Sequence, residues 1–212
     1  MDRFWFLTWT TYGTWLPGDG RGFVTELRDA DWNKYLPNRP HTECPADLPG
    51  LKRFAEEALK GEPVWLVAAQ ADVLRAQFQE TAAYRGWLLL AVAIMANHAH
   101  LVVGVPGDPD PSGILGDFKE YGSRALNRQF GKRPSGRWWT QSGSKRKLPD
   151  ERAKCGAVAY TRDQHDPLVA WLNEPGIRAT FDEPIATRLL SPERDEASGN
   201  VQASGTREGA GT

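Results

Sequence analysis

Two absences narrow the reading of this 212-residue sequence before any motif is considered. Cysteine occurs only at Cys44 and Cys155, too few for a disulfide framework and without the paired spacing of a zinc site, so both are expected to be plain core or surface residues. No run approaches the eighteen or so consecutive apolar residues of a membrane span. The opening Met1-Asp2-Arg3-Phe4-Trp5 has no basic region ahead of a hydrophobic stretch and cleavage site. The expectation is therefore a cytoplasmic protein with no membrane partner. No internal repeat is found. Histidine is scarce as well, with four in the chain.

What is present is ordinary for a globular protein: 40% hydrophobic and 25% charged residues, at a length that suits one domain better than two. The net charge of −1 hides an asymmetry. Between Lys119 and Lys154 stand eleven Lys/Arg against three Asp/Glu, a local +8 that leaves −9 for the rest. Such a segment can sit on phosphates while the remainder stays acidic, and it can equally be a solvated helix face followed by a basic loop. Beyond about residue 190 the composition turns small, polar and aperiodic. The chain divides into a domain over 1–190 and a disordered tail over 191–212.

Periodicity outlines the elements. Arg3 to Tyr12 is dense in aromatic and β-branched residues and stops at Gly13, which reads as a buried strand. From about Trp15 to Pro63 the chain is rich in Gly, Pro, Asp and Asn, a long insertion with a short helix near Leu51 to Leu59. Ala69 to Tyr84 has helical spacing. Trp87 to Met95 and His98 to Val105 read as neighbouring strands joined at Ala96-Asn97. Gly113 to Phe130 reads as a second helix capped by Ser112, and Arg137 to Leu148 as a strand or hairpin opening on Trp138-Trp139-Thr140. Asp150 caps a last helix running to about Trp171. The resulting β-α-β-β-α-β-α order fits an α+β, ferredoxin-like (βαββαβ) antiparallel sheet with helices on one face, followed by an extra C-terminal helix.

Residues two apart on a strand face one way, so His98 and His100 point together and Ala99 points away. Two neutral imidazoles on one face can ligate one divalent cation. An isolated His-X-His pair is more often an ordinary pair of sheet-surface residues, and its surroundings decide. Met95-Ala96-Asn97-His98-Ala99-His100-Leu101-Val102-Val103 resembles the signature of the HUH superfamily, where U is hydrophobic. Specifically it is similar to the single-tyrosine transposases: the insertion-sequence-200-like enzymes and the REP-associated tyrosine transposases. Ala96 stands where that pattern usually has proline.

The resemblance covers roughly residues 3 to 175 and implies a nucleophilic tyrosine on a helix after the last core strand, with a polar metal ligand one turn on. Tyr160-Thr161-Arg162-Asp163-Gln164 supplies both: Tyr160 as nucleophile, and Gln164 as third ligand beside His98 and His100 to a magnesium or manganese ion. At i and i+4 on a helix the two would share a face. Tyr121 is the competing nucleophile, but Ala125 stands at its i+4 position. The resemblance further implies DNA cleavage and strand transfer through a 5′-phosphotyrosine, single-stranded DNA with a hairpin as substrate, and a homodimer. Lys119, Arg124, Arg128, Arg133, Arg137, Lys145, Arg146 and Lys147 are candidate phosphate contacts, and an exposed Trp138 or Trp139 could stack on bases. Two other classes stay open: a non-catalytic or domesticated nucleic-acid-binding module of the same fold, and a metal-dependent hydrolase with no covalent step.

Overall fold

The computed structural model describes residues 1–19 and 49–191, together with the backbone of 27–28 and 35–36. The expected tail over 191–212 therefore lies outside the described residues apart from Ser191, as do Cys44 and much of the insertion. Within the insertion, β2 (Leu27–Arg28) and β3 (Tyr35–Leu36) pair with each other, and α1 spans Pro49–Glu57.

The body is one five-stranded sheet. Strand β1 (Arg3–Thr10) runs antiparallel to β5 (His98–Val105), which pairs antiparallel with β4 (Leu88–Ile94). Strand β6 (Ser144–Lys147) borders β1, and β7 (Val169–Leu172) borders β4, giving the order β6-β1-β5-β4-β7. Helix α2 (Ala68–Arg85) crosses from β1 to β4, and α3 (Pro111–Phe130) crosses from β5 to β6. Removing β7 leaves the order that a split βαβ plan demands, with the two crossover pairs interleaved.

Alternation along β1 and β5 divides the side chains between two cores. Trp5, Leu7 and Trp9, with Ala99, Leu101 and Val103, are buried against Leu74 and Phe78 of α2 and Ile114 and Phe118 of α3. Trp9, Phe78 and Phe118 meet edge-on in sequence, with ring centroids 5.6 and 5.7 Å apart. On this face α2 and α3 approach closely at Gly122, where a Cβ would come within 3.1 Å of Leu74 and Phe78. The opposite face carries α4 (Glu151–Arg162), α5 (Glu174–Thr180) and α6 (Glu183–Leu190), whose Val158, Ile177 and Leu189 cover Leu90 and Val102.

Four element expectations need correction. The helix capped by Asp150 ends at Arg162 rather than near Trp171. Pro167 cannot donate into a helix and disfavours helical geometry in the residue before it, and Asp166 takes φ +49°. The apolar residues beyond are instead a strand, with Val169 to Leu172 pairing along β4. Helix α3 is capped by Asp110, whose side chain accepts from the Ser112 amide at 2.9 Å, so Ser112 lies inside the first turn. The Arg137 to Leu148 region contributes only Ser144–Lys147 as a strand, plus one bridge between Thr11 and Trp139. Trp138 and Trp139 are core residues rather than exposed platforms, 3% and 5% accessible, with indole N–H groups donating to Asn127 Oδ1 and the Lys119 carbonyl. Among the described residues no helix is long and apolar enough to cross a membrane.

Candidate active site

The Ala96-Asn97 turn that presents His98 is held from several sides. Met95 N donates to His98 O at 2.8 Å, Leu66 N donates to Ala96 O at 2.7 Å, and Thr11 N and Oγ1 donate to Asn97 O at 2.9 and 3.1 Å. A two-residue turn with both flanks satisfied leaves the start of β5 little freedom. His98 and His100 then project together onto the α4 face, with ring centroids 4.7 Å apart and planes at 82°.

Each imidazole is oriented through one nitrogen. His98 Nδ1 lies 2.7 Å from Asn97 Oδ1, so the ring donates there and keeps its Nε2 lone pair. His100 Nδ1 is 2.8 Å from Thr8 Oγ1 across the β1–β5 ladder, and its buried Nε2 has no partner among the described residues. An orphaned ring nitrogen on a buried histidine is costly unless something coordinates it, and fixing one nitrogen to leave the other free is how proteins prepare a metal-ligating histidine. Burial lowers the pKa of both rings; for His100, desolvation followed by the neighbouring His98 brings it to about 4. Both are neutral, as ligands must be, at physiological pH.

Gly143 lets the β1–β6 edge close at the same level, since a Cβ there would lie 2.8 Å from the Thr8 carbonyl. Strand β6 thus comes alongside β1 with Arg146 opposite Phe6. Phe6 stacks on His100 at 5.4 Å and 13°, and Tyr160 of α4 sets its ring edge-on to both, 5.4 Å from His100 and 5.7 Å from Phe6. Tyr160 is 54% exposed, which a residue packed into the core beside Val158 would not be. It borders an open cleft of about 720 Å³ with Phe6, Arg146, Arg152 and Gly156.

Not every expected residue joins this group. Gln164 falls beyond the end of α4, and its Nε2 donates to the Tyr160 carbonyl at 2.8 Å, so it shares no helix face with Tyr160. Among the described residues no three His, Cys, Asp or Glu side chains gather around one point. Tyr121 rides on α3, across the sheet from the histidines, with Arg124 over its ring at 5.3 Å.

The basic residues divide the same way. Arg146 reaches the Tyr160 cleft, while Lys145 and Arg137 line a second cleft of about 550 Å³ beside α3. The Lys119 ammonium, also there, donates to the carbonyls of Thr140, Gln141 and Ser142 at 2.6, 3.1 and 3.1 Å. Burial and the Lys145 charge push its pKa down to about 8. Its protons hold a loop together. Arg124 pairs with Glu120, Arg128 donates to Gln77 at 3.2 Å, and Arg133 lies over the Trp138 ring at 5.6 Å. Lys147 is exposed on the edge strand. Thr8 and Phe6 carried no signal in the sequence, and Arg152 was only one of the eleven basic residues between Lys119 and Lys154; the pairing of β1 with β5, which the order of elements implies, could have pointed to Thr8.

Residues 62–143 match the family Transposase IS200 like. That IS200-like segment takes in β4, the His98-Ala99-His100 strand, α3 and Trp138, and ends ahead of Tyr160. No curated protein matches the chain. Among solved structures, one of a REP-associated tyrosine transposase bound to a REP hairpin aligns with a TM-score of 0.44 and 14% identity over 76% of this chain. The chain spans 65% of that protein's length. A protein from Deinococcus radiodurans described as a candidate transposase aligns with a TM-score of 0.40 and 17% identity, over 78% of this chain and 93% of that one.

Proposed function

We propose that this protein is a metal-dependent single-tyrosine DNA transposase, cleaving and rejoining single-stranded DNA through a 5′-phosphotyrosine. The observation that carries the reading is the meeting of an exposed tyrosine ring with a buried histidine whose Nε2 has no partner among the described residues.

His98 and His100 would hold a divalent cation through their Nε2 atoms, with oriented rings and neutral charge in favour of that role. A magnesium or manganese ion held there would polarise the scissile phosphate and neutralise charge developing on it. Two imidazoles do not complete a coordination sphere. Gln164 Oε1, which takes no part in the bond to the Tyr160 carbonyl, is the protein donor proposed to join them.

Tyr160 supplies the nucleophile. Its oxygen attacks phosphorus in line, the bond from phosphorus to the 3′-oxygen breaks, and the departing 3′-hydroxyl takes up a proton. One P–O bond is exchanged for another, so a second 3′-hydroxyl can reverse the step and join a new strand without a nucleotide cofactor. The Phe6 and His100 rings fix Tyr160 from two sides, limiting the entropy lost on reaching attack geometry. Arg146 offers a guanidinium at the cleft mouth for a backbone phosphate. A hairpin in the DNA and a homodimeric assembly are parts of the proposal that rest on the motif resemblance alone.

The deciding experiment incubates the full chain with labelled single strands from the flanks of its own gene, in magnesium or manganese. A protein–DNA adduct that survives denaturation is expected in wild type and absent in Tyr160→Phe, with hairpin-DNA binding retained. Cleavage persisting in Tyr160→Phe would assign the attack to water. Binding with no adduct in wild type would leave a nucleic-acid-binding module.

A further inference from the structure

Helix α4 has an unexplained glycine. Gly156 sits in the middle of the helix, where glycine costs about 0.5–1 kcal/mol relative to alanine. Among the described residues nothing requires it, since a Cβ built there meets no atom of theirs within 4 Å. It is one turn from Tyr160 on one side and one turn from Arg152 on the other. Arg152, Gly156 and Tyr160 form an exposed stripe at i, i+4 and i+8, roughly 12 Å long.

The stripe joins two clefts. The Tyr160 cleft ends at Arg152 and Gly156, and both residues also line a groove of about 550 Å³ between α4 and α6, with Arg162 and Arg188. Arg162 is committed to structure: its Nη1 donates to the carbonyls of Arg188, Leu189 and Ser191 at 2.9, 2.9 and 3.1 Å, pinning the end of α6 to α4. Arg152 and Arg188 are exposed and make no ion pair or hydrogen bond through their side chains among the described residues. Among the described residues Asp150 is the one carboxylate lining the Tyr160 cleft, and its Oδ1 is occupied as the cap of α4, accepting from Ala153 N at 2.7 Å.

We infer that this face is the track for the single strand adjoining the scissile phosphate: Arg152 and Arg188 contact successive backbone phosphates, and Gly156 lets the strand lie directly on the helix backbone. The inference rests on the proposed DNA-cleaving function but concerns strand binding. Glycine is the residue expected where another backbone must approach closely, and two uncommitted guanidiniums beside it fit a polyanion.

The test measures binding of a labelled, hairpin-free single strand to the full chain without divalent metal, across about 50 to 200 mM salt. Arg152→Ala and Arg188→Ala should each weaken binding severalfold and lower the slope of log K against log salt by about 0.7. Gly156→Ala should melt at the same or a higher temperature than wild type, yet bind the strand more weakly. A merely structural glycine would not separate those two readouts. Unchanged affinity and slope in the arginine variants overturn the track; unchanged affinity in Gly156→Ala overturns close approach at its centre. Because the assay needs neither metal nor Tyr160 chemistry, its result is independent of whether the covalent adduct forms.

Discussion

The two faces of the sheet are built from the same strands and reach opposite outcomes. Beneath α2 and α3, Trp9, Leu101, Phe78 and Phe118 make a dry aromatic core in which Leu101 and Phe118 are fully buried. Across the sheet, residues one step along the same strands, Phe6, Thr8, His98 and His100, form a polar and aromatic floor that α4 covers only partly, leaving Tyr160 exposed. The packed face has unpaired buried donors too, Trp5 Nε1 and Trp9 Nε1 among the described residues, so what sets the other face apart is an unpaired imidazole lone pair beside an open cleft. Strained or unsatisfied groups persist where the surroundings hold them in place.

The contrast can be broken most severely from the packed side. Phe118→Ala leaves a cavity below the sheet and should cost about 3–5 kcal/mol in a denaturant titration. Tyr160→Ala, at an exposed ring, should cost far less in the same measurement. Comparable losses would mean that Tyr160 is a core residue after all.

An acid titration separates the faces next. His100 has a folded-state pKa of about 4 against an ordinary 6.5, so below pH 6.5 the unfolded chain binds the proton that the folded chain refuses. Stability in the presence of chelator should be complete above pH 6.5, fall as the pH drops toward about 4, and level off below it. The difference is about 3 kcal/mol, with His98 acting in the same direction. His100→Asn should flatten this part of the profile, and an unaltered profile would contradict a buried neutral ring.

The smallest effect sharpens the open face alone. Thr8→Val keeps the shape of β1 but removes the partner of His100 Nδ1. Manganese affinity, followed by calorimetry, should fall about 10- to 100-fold while the unfolding midpoint moves little. Equal affinity in wild type and variant would show that Thr8 does not orient the ring for a metal.

Strand and helix spans were legible wherever one period ran unbroken, as in His98 to Val105, which is a strand over those same residues, and Ala69 to Tyr84, which lies inside α2. They were misread where apolar residues continued past a break. Leu168, Val169 and Trp171 continue the spacing of the tyrosine helix, but Pro167 redirects the chain and the residues become an edge strand. The candidate site divides similarly. That His98 and His100 point together followed from alternation, and their reading as metal ligands followed from the motif resemblance around them. The pairing of Tyr160 with Gln164 assumed a helix that ends two residues too early. The basic segment looked uniform as a sequence, yet the fold places Arg146 by the tyrosine, binds Lys119 to three carbonyls and leaves Lys147 in solvent.

The sequence by itself determined which residues share a face, because the periods of strand and helix are local properties of the backbone. It thereby determined that two imidazoles point together from β5. Only the tertiary structure decided what those imidazoles meet. That Thr8 orients one ring, that Phe6 and Tyr160 enclose it, and that Trp138 is sealed in the core depend on strand register and helix docking between residues as far apart in sequence as Phe6 and Tyr160. Such contacts come from closing long loops around a buried core, which no local pattern encodes.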